Sequence, residues 1–191
     1  MKRLTAVLLA GLAATAIAAG ASGVGPTFAD EMTKMVGGAP MYPSKNIVQN
    51  AVNSKDHTTL VTAVKAAGLV DTLESPGPFT VFAPTNEAFA KLPDGTVQTL
   101  LKPENKPLLT KILTYHVVSG RLTTNDLKRM IKDGGGKAEL KTVEGAPLTI
   151  EEKDGQLWLV DAKGDTAAIT ISNVLQSNGV IQVINTVMLP G

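Results

Sequence analysis

Thr80-Val81-Phe82-Ala83-Pro84-Thr85-Asn86-Glu87-Ala88-Phe89 is the stretch on which the reading of this chain turns. Phe79 to Ala83 has the apolar content of a short buried strand, and Pro76-Gly77-Pro78 and Pro84 fence it because proline gives no N–H to a sheet ladder. Thr85 then offers a hydroxyl to cap a helix, and Glu87 stands in the first turn, where the helix dipole favours an anion. Phe89, one turn after Thr85, seals that helix onto the strand. Apolar and capping residues account for nearly every letter, so the stretch is read as a folding device with Phe82 and Phe89 in the core.

Outward from it, the helical period dominates from Ser44 to about residue 132. Ser44 can cap a helix carrying Ile47, Val48, Ala51 and Val52, and Leu60, Val61, Val64 and Ala67 form the next apolar stripe, ended by Gly68. Helices are expected at 86–92, 96–101, 104–115 and 124–132, the last stopped by Gly134-Gly135-Gly136. After residue 137 the period becomes two, with turn signals at Glu144-Gly145, Asp154-Gly155 and Lys163-Gly164, a spacing that suits an antiparallel meander. Asn178-Gly179 signals one more turn, and the run Val180 to Val187 is apolar enough for a strand covered on both faces. Helices first and strands later in one domain's length give an α+β fold over residues 44–190.

The whole-chain composition narrows the function. Of 191 residues 43% are hydrophobic and 18% charged, the usage of a folded domain, and Lys plus Arg (18) nearly balances Asp plus Glu (17). Aromatics are only 4%, so the basic, aromatic-laced surface of a nucleic-acid binder is missing and no nucleic-acid partner is expected. With no cysteine, disulfides, thiolate catalysis, Cys-based metal sites and a lipid-bearing cysteine are excluded.

Met1-Lys2-Arg3 followed by the uncharged, alanine-rich segment 4–19 reads as a secretory signal peptide, residues 1–29. Small-residue frames place cleavage after Ala21 or Ala29, with Ala29 favoured. Residues 30–43, with Gly37-Gly38 and two prolines, read as a flexible lead-in. No second apolar span follows, so the expectation is an exported periplasmic or extracellular protein with no stable membrane anchor after cleavage.

Catalytic signatures are missing: there is no G-x-S-x-G elbow, no H-E-x-x-H and no phosphate loop. Gly134-Gly135-Gly136-Lys137 lacks the following Ser or Thr, and Glu151-Glu152 point to opposite faces of a strand. His57 and His116 carry no flanking carboxylate pattern, and Met32, Met35 and Met41, though thioethers suit Cu(I), have no His or Cys beside them. No cofactor and no metal are expected.

The first stretch resembles the first signature of the fasciclin domain family. Leu113-Thr114-Tyr115-His116-Val117-Val118 resembles the family's central Tyr-His segment, and the run from Ile171 to Asn185 with the terminal Leu189-Pro190 completes the match. The resemblance covers about residues 44–190 and is similar to the small exported fasciclin proteins of bacteria. It implies a wedge of two β-sheets with helices packed alongside and a role in adhesion. It also implies partner binding at Tyr115 and His116, with Leu113, Val117 and Val118 beside them. Asn86, Asn173, Gln182 and Asn185 stand where members often carry acids or histidine, which weakens a metal-assisted contact.

The expected function is therefore a secreted, monomeric, non-enzymatic adhesion or interaction module for an extracellular or envelope protein, a glycan or a cell surface. Two rivals differ in kind: a periplasmic carrier of a small apolar ligand, and an enzyme with a site assembled from distant groups such as Tyr115, His116 and Asp126. A dry cavity favours the carrier, a pocket of convergent titratable groups the enzyme, and a flat surface the module.

Overall fold

A computed structural model describes residues 33–191; the signal segment 1–29 and Met32 lie outside the described residues. The chain runs through the hairpin β1 (Lys34–Val36) and β2 (Ala39–Met41), then helices α1 (Ile47–Ala51), α2 (Thr58–Ala67) and α3 (Val70–Glu74). Strand β3 (Phe79–Pro84) is followed by α4 (Asn86–Ala90), α5 (Thr96–Leu100) and α6 (Lys106–Tyr115), then β4 (Val117–Ser119) and α7 (Thr124–Asp133). The chain closes with β5 (Lys137–Lys141), β6 (Pro147–Lys153), β7 (Gln156–Val160), β8 (Thr166–Gln176) and β9 (Gly179–Ile184).

Seven strands pair in the order β4-β3-β9-β8-β7-β6-β5, antiparallel everywhere except between β3 and β9. The long β8 makes the wedge: its first residues pair with β7, and the rest pairs with β9. It bends at two register shifts, between Ile169 and Ile171 and between Ile171 and Val174. Asn173 lies in the second shift at φ +53, a left-handed conformation that asparagine tolerates better than most residues. The outer edges nearly meet, because Val118 bridges Thr142 and Val143 N donates to Val117 O at 2.7 Å. The fold is α+β, as expected.

Two cores flank the central strands, and alternation along β3 feeds both. Val81 and Ala83 face the helices with Leu60, Phe89, Ile112 and Ile181. Phe82 faces into the wedge with Tyr115, Leu127, Ile150, Leu159 and Ile184. Phe82 is fully buried and Phe89 5% exposed, so both are core residues. The parallel pair needs Gly179, since a Cβ there would stand 2.1 Å from Phe79 O.

The segment read as a flexible lead-in instead holds a hairpin. Gly37 and Gly38 turn it at positive φ, which glycine adopts without strain, and Val36 and Met41 are buried while Met35 stays 60% exposed. Three-residue strands are too short to show a period. The first helix is capped by Asn46, not Ser44: Asn46 Oδ1 accepts from Gln49 N at 2.8 Å and Gln49 Oε1 accepts from Asn46 N at 3.0 Å, a reciprocal box. The last strand stops at Ile184, two residues past Gln182, because Asn185 turns its amide to Ala168 N; Val187 and Met188 remain buried outside the ladder.

Candidate functional site

Tyr115 ends α6 and His116 caps it, and β4 begins at once, so the helix-to-strand switch drives both side chains inward. Tyr115 is 0% exposed and its hydroxyl donates to Pro147 O at 2.9 Å. His116 is 2% exposed; its Nδ1 lies 2.8 Å from Ile112 O, which only accepts, so Nδ1 carries the hydrogen. Nε2 is then the lone-pair nitrogen and accepts from Met188 N at 3.0 Å. Burial pushes the imidazole down to about 4, against the opposing pull of the Ile112 carbonyl and the Asp161 charge. The expectation that Tyr115 and His116 touch a partner meets two buried side chains that tie α6 to Pro147 and to Met188; neither presents a surface. Asp126, the acid an enzyme reading would recruit, caps α7 instead. Its carboxylate accepts from Thr123 N at 3.0 Å and Thr123 Oγ1 at 2.6 Å and pairs with Arg129 at 2.8 Å.

The four amides noted in the sequence are all committed to the backbone. Asn86 Oδ1 accepts from Thr59 N at 3.0 Å, and its Nδ2 donates to Lys55 O at 2.8 Å, holding the start of α2. Asn173 Oδ1 accepts from Thr124 N at 2.8 Å, while Gln182 Oε1 accepts from Asn173 N at 2.9 Å and Gln182 Nε2 donates to Leu122 O at 3.0 Å. Asn185 Oδ1 accepts from Ala168 N at 2.9 Å. An aspartate at these positions would lose the donated half of each pair, which is the physical reason for amides in this chain.

Among the described residues no three His, Asp or Glu side chains gather as metal ligands. Met35 is exposed and Met41 buried on opposite faces of the hairpin, so these two do not converge.

Two features that the sequence reading passed over stand out. The first is His57, 3% exposed, whose Nδ1 lies 2.8 Å from Ser54 Oγ and whose Nε2 has no partner. It lines an apolar cavity of about 50 Å³ beneath α1, α2 and the β1–β2 hairpin. Burial pushes its imidazole below the usual range, against the pull of the Ala83 carbonyl and the Asp56 charge. The second is Trp158, the chain's one tryptophan, half-buried on β7. Its neighbours Leu157 and Leu159 point into the wedge, so Trp158 points out, beside Glu151 of β6 and Ala168 of β8. A shallow groove of about 330 Å³ runs past it, lined by Glu151, Lys153, Asp154, Gln156 and Thr166. The period-two pattern of β7 carried that signal: a tryptophan out of phase with two leucines faces outward.

The Fasciclin domain family matches residues 55–190. Protein sll1483 of Synechocystis sp. is 45% identical over 160 residues, covering 84% of this chain and 82% of that one. Protein sll1735 of the same organism is 48% identical over 146 residues, covering 76% of this chain and 98% of that one. Immunogenic protein MPB70 of Mycobacterium bovis is 35% identical over 145 residues, covering 73% and 66%. Among solved structures, a FAS1 domain pair from the insect cell adhesion molecule Fasciclin I superposes with a TM-score of 0.68 at 18% identity, covering 76% of this chain and 51% of that one. The match over most of the chain, the wedge on a shared β8 and the inward Tyr-His pair agree on one assignment: the chain belongs to the Fasciclin domain family.

Proposed function

We propose that the chain is an exported, non-enzymatic adhesion or interaction module that meets an extracellular or envelope protein, a glycan or a cell surface through the outer face of the meander around Trp158. The observation that carries this reading is the outward tryptophan itself. A large ring left half in solvent beside Glu151, Gln156 and Thr166 combines apolar area with hydrogen-bonding groups, the mixture that anchors interfaces. Family membership supports adhesion as the class of role, since the fold is that of a protein described as a cell adhesion molecule. Tyr115 and His116 serve from within, by fixing β4 and the chain's last residues. The signal-like segment 1–29 supports export, and no helix of the described residues is long and apolar enough to cross a membrane.

The test is capture from envelope and host-surface extracts by the immobilised protein and by Trp158→Ala. Capture is expected to fall at least tenfold, with stability within about 1 kcal/mol of wild type because the ring is not core. Undiminished capture by a folded Trp158→Ala protein would place the contact elsewhere and refute the reading.

A further inference from the structure

The cavity at His57 lies on the helix side of the sheet, away from the Trp158 face. Its walls come from Met41 of β2, Leu60 and Val64 of α2 and Ile181 of β9, and the half-buried Val48, Val61 and Val70 stand at its mouth. Four lining residues carry side-chain polar groups. Lys65 is exposed, His116 has both nitrogens bonded, and Ser54 faces His57 Nδ1. His57 Nε2 is left, a buried side-chain nitrogen without a hydrogen-bond partner. Such an orphan is uncommon in native proteins, and the space beside it is where its partner would sit.

The partner's chemistry follows from the walls. A charged group would be costly among Met41, Leu60, Val64 and Ile181, so the occupant is uncharged. At about 50 Å³ the cavity has roughly a third of the space known to hold benzene, yet it reaches from the hairpin to Val70 beyond α2, so it admits a slender chain and no ring. Ser54 and His57 can exchange roles: if the Ser54 hydroxyl donates to Nδ1, Nε2 bears hydrogen, and if it accepts, Nε2 offers a lone pair. A hydroxyl, being donor and acceptor at once, satisfies either arrangement. We propose that the cavity is a binding site for an unbranched aliphatic alcohol, with its chain between α2 and the sheet and its hydroxyl on His57 Nε2. This stands independently of the Trp158 surface.

The test titrates the full chain with 1-hexanol while following the imidazole nitrogens of His57 by NMR, with benzene as the competing shape. Expected are a saturable shift at Nε2, no comparable shift with benzene, and binding at least tenfold weaker in Val61→Phe, which blocks the mouth from a half-buried position. His57→Phe keeps ring volume and removes the nitrogen, and hexanol affinity should fall roughly fivefold, the share of one neutral hydrogen bond. Should that variant fail to fold, the wild-type shift and Val61→Phe decide. A His57 signal unmoved by hexanol, or moved equally by benzene, or moved equally in folded Val61→Phe, overturns the proposal and leaves Nε2 to water alone.

Discussion

Acidification from pH 7 to pH 4 should remove about 3 kcal/mol of stability through His116 alone. In the folded protein the ring is neutral, because Nε2 must accept from Met188 N and burial disfavours charge, and its pKa falls from 6.5 to about 4. Unfolded chains carry the ordinary value, so between pH 6.5 and about 4 the unfolded state binds a proton that the native state does not. Stability therefore rises with pH across this window and is lost as pH falls through it. At about 1.4 kcal/mol per pH unit, the lowering to about 4 accounts for the 3 kcal/mol. That is a large share of the roughly 5–15 kcal/mol that holds a domain. His57, also pushed down by burial, adds in the same direction. Asp126, held below its usual range chiefly by the Thr123 hydroxyl, contributes above 3.8 and is lost only in stronger acid. Urea unfolding followed by Trp158 emission at intervals of half a pH unit measures the slope. His116→Gln should flatten it by about one proton's worth. A curve flat between pH 6.5 and 4.5, or a slope undiminished in His116→Gln, would refute the assignment of a buried neutral ring.

Phe89→Ala should cost about 3–5 kcal/mol in urea unfolding, the range for emptying a buried aromatic site, and a cost under about 1 kcal/mol would contradict its packing on the strand. Asn178 accepts from Ile47 N at 3.0 Å and donates to Leu73 O at 2.7 Å and Ser75 O at 2.9 Å, tying the β8–β9 turn to α1 and the end of α3. Asn178→Ala should therefore cost about 2–3 kcal/mol and speed amide exchange in α1 first; a neutral substitution would show that water replaces the amide.

What the sequence could reveal depended on how local each cause was. The strand at Phe79, the Thr85 cap, whose hydroxyl accepts from Ala88 N at 3.2 Å, and the leucine-alternating meander all express themselves within a few residues. The parallel partnership of β3 with β9 joins residues a hundred apart and left no local trace beyond Gly179. The hairpin at Lys34–Met41 was hidden for the opposite reason, its strands being shorter than one reading window. Asn178 looked like half of a turn dipeptide, and its three bonds to α1 and α3 became visible only when those helices were in place. Tyr115 and His116 were found by motif, but motif says nothing of direction: whether a residue at a helix end turns in or out is set by the strand that follows. His57 offered no signal at all, since an orphaned nitrogen is a property of what surrounds it.

Hydroxyl-radical footprinting of the protein, alone and bound to whatever surface captures it, tests the central claim most directly. The account expects protection at Trp158 with Gln156 and Glu151, and no change at Tyr115 and His116, which are already buried. Protection confined to a different exposed site, such as Leu108 on α6 or Val143 beside β4, with Trp158 still open to the radical, would contradict it.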